Sequence, residues 1–148
     1  MTLETYRQNG WLTAHQSSPA EIKNLLDLAD TKIADYNKAK ALSADSRLSL
    51  VHNAIMASAT AVLAAAGYRV ARGGSEHFHT IAALEFTIDP QKKLISRLDA
   101  FRKKRNQSSY EVSGSVSEAE VASAFALALQ VRADTAAWIK KHRPQLLG

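Results

Sequence analysis

Two stretches of this chain, Ser43 to Gly67 and Ser117 to Lys141, are built on alanine, and they constrain the fold more than any other feature. The first carries Ala54, Ala57, Ala59, Ala61 and Ala64; the second carries Ala122, Ala124, Ala126, Ala128 and Ala133. Alanine is the best helix former, because it loses no side-chain entropy in a helix. Only three prolines and six glycines interrupt the 148 residues, which favours long helices over a many-turned β fold. Small side chains let helix axes approach to the lower end of the usual range, about 8 Å. Both helices are therefore expected at the centre of a bundle, or sharing a face with a second subunit. Short connections make sequential helices antiparallel neighbours, so the expected fold is all-α, a five-helix up-down bundle.

Terminal signals place the five helices. Ser18-Pro19-Ala20-Glu21 reads as a capping box with proline at the first helical position, opening a helix that runs to about Lys40. The second helix begins near Ser43 to Asp45 and stops at Gly67, a C′ glycine. Arg72 to Ser75 is a loop, with Gly73-Gly74 as turn chemistry, and a third, shorter helix spans Glu76 to Phe86. Asp89-Pro90 is expected to start the fourth helix, with Asp89 as N-cap, and the polar run from Gln107 to Val116 to be a loop. Ser117 to Glu120 is a second capping box for the fifth helix, which Pro144 keeps from extending far. Length and composition fit one domain over residues 1–148, with residues 1–17 as an N-terminal extension.

Composition excludes several function classes. There is no cysteine, so disulfides and thiolate metal sites are out, and a reducing cytoplasm is the expected compartment. Met1 to Gln16 lacks an apolar run and does not read as a signal peptide. The longest apolar candidate for a bilayer span, Ala54 to Gly67, falls short of about 20 residues, so no membrane partner is expected. Hydrophobic residues at 46% argue against disorder. A net charge of +5 permits an anionic partner without requiring one. Much of that excess lies between Lys92 and Arg105.

That basic run has a direction. At about 100° per residue from Leu94, an apolar stripe contains Ile95, Leu98 and Phe101. Arg105 falls inside the stripe and Arg102 at its edge; Lys92, Lys93, Asp99, Lys103 and Lys104 fall on the other side. Snorkelling stems explain a guanidinium at a core edge as well as a site does. Arginine followed by Asn106 favours a site, because its planar fork suits phosphate and carboxylate.

The residues around this run resemble the HEPN family (higher eukaryotes and prokaryotes nucleotide-binding), small all-α bundles. Their motif is an arginine, often followed by asparagine, then four to six residues and a histidine; a common branch carries tyrosine near the histidine position. Here Arg105-Asn106 is followed by Tyr110. Upstream, Arg47 opens a helix ending in Ala64-Ala65-Ala66-Gly67-Tyr68-Arg69, and Ser75-Glu76-His77-Phe78-His79 follows. The resemblance spans Asp45 to Trp138 and rests on the order of these segments. It implies a homodimer with the cleft where two bundles meet, and candidate catalytic residues Arg105, Asn106 and Tyr110. It also implies phosphate or nucleic-acid binding by Arg102, Lys104, Arg105, His77 and His79, RNA or a nucleotide as ligand, and no cofactor. A minimal nucleotidyltransferase in a toxin–antitoxin-like pair is the implied protein partner.

One departure bears on chemistry. No histidine lies between Arg105 and His142, and tyrosine, with an ordinary pKa near 10, is a poor general base at neutral pH. The expectation is therefore a non-catalytic or weakly active binding module. The alternative is a metal-independent RNase using Arg105 with a base from Tyr110, His77 or His79. His77 and His79, two apart, leave a helix on different sides, and no histidine pair has the spacing of a zinc site, so no metal is expected. His52 lies in the stripe of Leu48, Val51 and Ile55 as a core or interface histidine, and His15 and His142 are expected to be solvated. Glu118 and Glu120 read as cap residues. No phosphate loop or nucleophile elbow is present.

Overall fold

The computed structural model describes residues 1–110 and 116–148, the side chains at 102 and 104–110 excepted. Among these residues the chain is mostly helical. Its α-helices are α1 (Leu3–Gln8), α2 (Pro19–Lys38), α3 (Ala44–Ala65), α4 (Glu76–Ala82), α5 (Lys93–Tyr110) and α6 (Glu118–His142). Two short strands, β1 (Leu12–Ala14) and β2 (Tyr68–Val70), pair antiparallel with Leu12 opposite Val70. Single 3-10 turns follow α4 (Ala83–Phe86) and α6 (Pro144–Leu147).

Local capping explains most of these bounds. Ser43 Oγ accepts the Ser46 N–H at 3.1 Å and opens α3. Ser117 and Glu120 form a complete reciprocal capping box at the start of α6. At α2 only half of the expected box forms. Ser18 Oγ accepts the Glu21 N–H at 3.2 Å, but both Glu21 carboxylate oxygens lie 2.8 Å from His15 Nε2. His15 is thus held by a neighbour and half-buried, not solvated. Gly67 ends α3 at φ 101°, a conformation that costs a side chain but not glycine. Its carbonyl accepts the His15 N–H at 2.8 Å, continuing the β1–β2 pairing.

The fourth predicted helix is shifted at both ends. Asp89 does not cap it directly: Asp89 to Lys92 forms a turn, with Lys92 N–H donating to Asp89 O at 3.0 Å and Lys92 in the left-handed region at φ 58°. The helix begins one residue later. Asp89, buried, reaches across the turn so that its carboxylate accepts the Ile95 N–H at 2.7 Å. At the other end α5 runs to Tyr110, where a loop was expected from Gln107. Polarity alone does not stop a helix whose interior holds no glycine or proline.

Residues 1–17, expected as an extension, contribute α1 and β1 to the packing. Tyr6 and Leu12 are buried with Leu63 and Ala83, so this segment covers one end of α3. The main core joins Val51, Ala54, Ala59 and Val62 of α3 to Val121, Ala124, Leu127 and Ala128 of α6, with Leu94 and Leu98 from α5. A second cluster seats Ile22 and Leu26 of α2 against Ala61, Ala64 and Ala65 of α3. As expected from its alanines, α3 is central. It is also long and apolar enough to cross a membrane by length and composition, and 67% of that apolar window is buried within the fold. α6 buries a single face, leaving Ala119, Ala122, Ala126 and Ala133 exposed.

Candidate functional site

α4 is a short helix, and with α5 it covers α3 incompletely. Between them lies an apolar cleft of about 270 Å³. Val51 and Ile55 of α3, with Ala124 of α6, form its floor; Phe78 and Ile81 line it from α4, and Leu98 and Phe101 from α5. Three polar side chains also line it: His52, Ser96 and Asp99. Phe78 is 55% exposed.

The α5 stripe largely behaves as its spacing predicts. Leu94 and Leu98 are buried, Ile95 and Phe101 half-buried, and Lys92, Lys93 and Lys103 exposed. Asp99 departs from the expectation. It lines the cleft, because Ser96 and Asp99 sit three residues apart on one helix face. Lys103, one turn further, places its Nζ 3.3 Å from the Asp99 carboxylate. Arg102, Lys104, Arg105, Asn106 and Tyr110 fall outside the described side chains.

The two histidines of α4 part company, as their spacing requires. The exposed His77 ring lies 5.4 Å from the His52 ring, beside the cleft. His79 turns to the N-terminal segment and stacks on Trp11 at 5.0 Å and 15°, with Phe78 edge-on at 5.5 Å. Among the described residues no three His, Asp or Glu side chains converge as an ion site.

Tertiary structure adds polar contacts that no local spacing signals. Arg47, only 9% exposed, donates through Nη2 to both oxygens of Glu118 at 2.5 Å and through Nε to the Leu42 carbonyl at 3.1 Å. The Glu118 carboxylate holds this guanidinium above its ordinary pKa, so it is charged at any working pH. Its planar group lies over Tyr36, 5.9 Å from the ring centre, and Tyr36 stacks on Phe125 at 4.0 Å. Glu118, read as a cap residue, thereby ties α6 to α3, with α2 joined through Tyr36. The sequence marks Arg47 only as the basic residue of a helix start.

The chain matches no protein-family model, no curated protein and no solved structure.

Proposed function

We propose that this chain is a HEPN-like module that binds RNA or a nucleotide without cleaving it efficiently, its five longer helical segments corresponding to the family's up-down bundle. One observation carries the reading. Between Lys92 and Arg105 the sequence holds seven basic residues, Lys92, Lys93, Arg97, Arg102, Lys103, Lys104 and Arg105, and one acid, Asp99, on or beside the helix that walls the cleft, with Lys92 also 3.5 Å from Glu85. A row of cations along one rigid element is an electrostatic footprint for a polyanion. The two-fold homodimer and the nucleotidyltransferase partner belong to the same proposal. A monomer mass by light scattering at micromolar concentration would count decisively against the dimer.

The test is a titration of labelled single-stranded RNA over a range of salt. Binding is expected to weaken as salt rises, and Arg105→Ala to weaken it far more than Lys92→Ala, although each removes one charge. Equal losses would sink the idea of a site centred on Arg105. Incubation in EDTA then tests cleavage: robust cleavage abolished by Arg105→Ala would establish the RNase reading instead. In that case His77 is the better candidate for a second group, since it is exposed beside the cleft while His79 stacks on Trp11.

A further inference from the structure

We propose that the cleft between α3, α4 and α5 binds a neutral, apolar molecule of about two fused rings and discriminates against charged molecules of the same shape. The inference rests on the lining of the cleft and is independent of the RNA reading.

Size sets the body. A dry apolar cavity of roughly 150 Å³ accepts benzene; this cleft, at about 270 Å³, has room for a second ring. Its apolar walls set the chemistry. Val51, Ile55, Ile81 and Leu98 offer no hydrogen bonds, and Phe78 and Phe101 present aromatic surfaces that favour an aromatic guest. Phe78 is 55% exposed and Phe101 half-buried, so a guest between them also removes their remaining surface from water.

The polar lining decides the charge, because its groups are already engaged. Ser96 Oγ donates to the Lys92 carbonyl at 3.0 Å. The Asp99 carboxylate is held by Lys103 Nζ at 3.3 Å, and the His52 ring lies 5.4 Å from that of His77. A carboxylate guest would meet the carboxylate of Asp99, the charged side chain that lines the cleft among the described residues. The exposed lysines of α5 supply no counter-ion inside: Lys92, Lys93 and Lys103 do not line the cleft, and Lys92 lies 3.5 Å from Glu85. An ammonium guest would have to displace Lys103 from Asp99, exchanging one ion pair for another while losing its own hydration. A neutral ring system carries no such desolvation cost and keeps the full benefit of the apolar area it buries.

Three matched probes test this at pH 7: 2-methylnaphthalene, 2-naphthoate and 2-naphthylmethylamine, titrated against the full chain by probe fluorescence. Methylnaphthalene is expected to bind tightest, each charged analogue weaker by about tenfold or more, and its affinity to be unchanged between low and high salt. Ala82→Phe should fill the α4 side of the cleft and weaken methylnaphthalene by about tenfold or more. Ser96→Trp, at an exposed position on α5, serves if circular dichroism shows Ala82→Phe misfolded. Either charged analogue binding as tightly as methylnaphthalene would overturn the proposal. So would methylnaphthalene that fails to saturate, or that binds a folded filling variant as well as the parent.

Discussion

The two sides of α3 are packed by different rules. Toward α2 and α6 it presents many small residues, among them Ala54, Ala59, Ala61 and Ser58 beside Val62, and the backbones come close enough for Thr135 Oγ1 of α6 to donate to the Ser58 carbonyl at 3.4 Å, both residues fully buried. Toward α4 and α5 it presents Leu48, Val51, His52 and Ile55, and the covering elements leave a cleft. Small residues shape a surface that another helix fits along its whole length. Large residues need partners of matched shape, and a seven-residue helix does not supply them along that length. The same helix thus carries a closed interface and an open one.

The largest expected effect breaks that contrast directly. Ala59 is fully buried on α3, so Ala59→Leu should overpack the core and cost about 1–3 kcal/mol. Ala82→Leu, at the cleft, should stay within about 0.5 kcal/mol of the parent. Urea unfolding of both measures the difference, and equal losses would mean the cleft side is packed as tightly as the other.

Arg47 tests whether the closed side depends on a charge. Arg47→Met keeps much of the volume but loses the Glu118 contact, and a loss of about 1–2 kcal/mol is expected, discounted because Glu118 faces water. An unchanged denaturation midpoint would show that the pair contributes nothing.

A smaller effect has the opposite sign. Ser58 Oγ is buried with no hydrogen-bond partner among the described residues. Ser58→Ala removes that desolvated hydroxyl and improves helix propensity, so stability should rise by about 1 kcal/mol. A loss would reveal a partner for the hydroxyl.

The smallest effect lies at the start of α4. The backbone N–H groups of Glu76, Gly73 and Gly74 hold the Glu76 carboxyl below its ordinary pKa. A depressed carboxylate contributes stability that is present above its unfolded pKa and is lost as pH falls through the folded one. Glu76→Gln should therefore flatten the acid limb of a stability–pH curve slightly while leaving its neutral region with the same shape. A curve identical to the parent's would show that these bonds contribute no pH-dependent stability.

Much of the helical framework was legible in the sequence because its signals are local. Ser43 and Ser117 cap helices three residues from their partners, Gly67 supplies the positive φ that ends α3, and alanine content puts α3 at the centre, though it implies the same for α6, which buries a single face. The end of α5 is not legible, because its polar residues resemble a loop in composition yet are tolerated in a helix. What only tertiary structure decided joins residues far apart in the chain. Arg47 meets Glu118, 71 residues on. Leu12 finds Val70, which makes two three-residue segments into strands. Asp99, placed by its spacing among solvated lysines, lines a cleft whose other walls come from α3, α4 and α6. Periodicity reports which face of a helix is apolar; it carries no information about how completely the next element covers that face, and the cleft exists in that remainder.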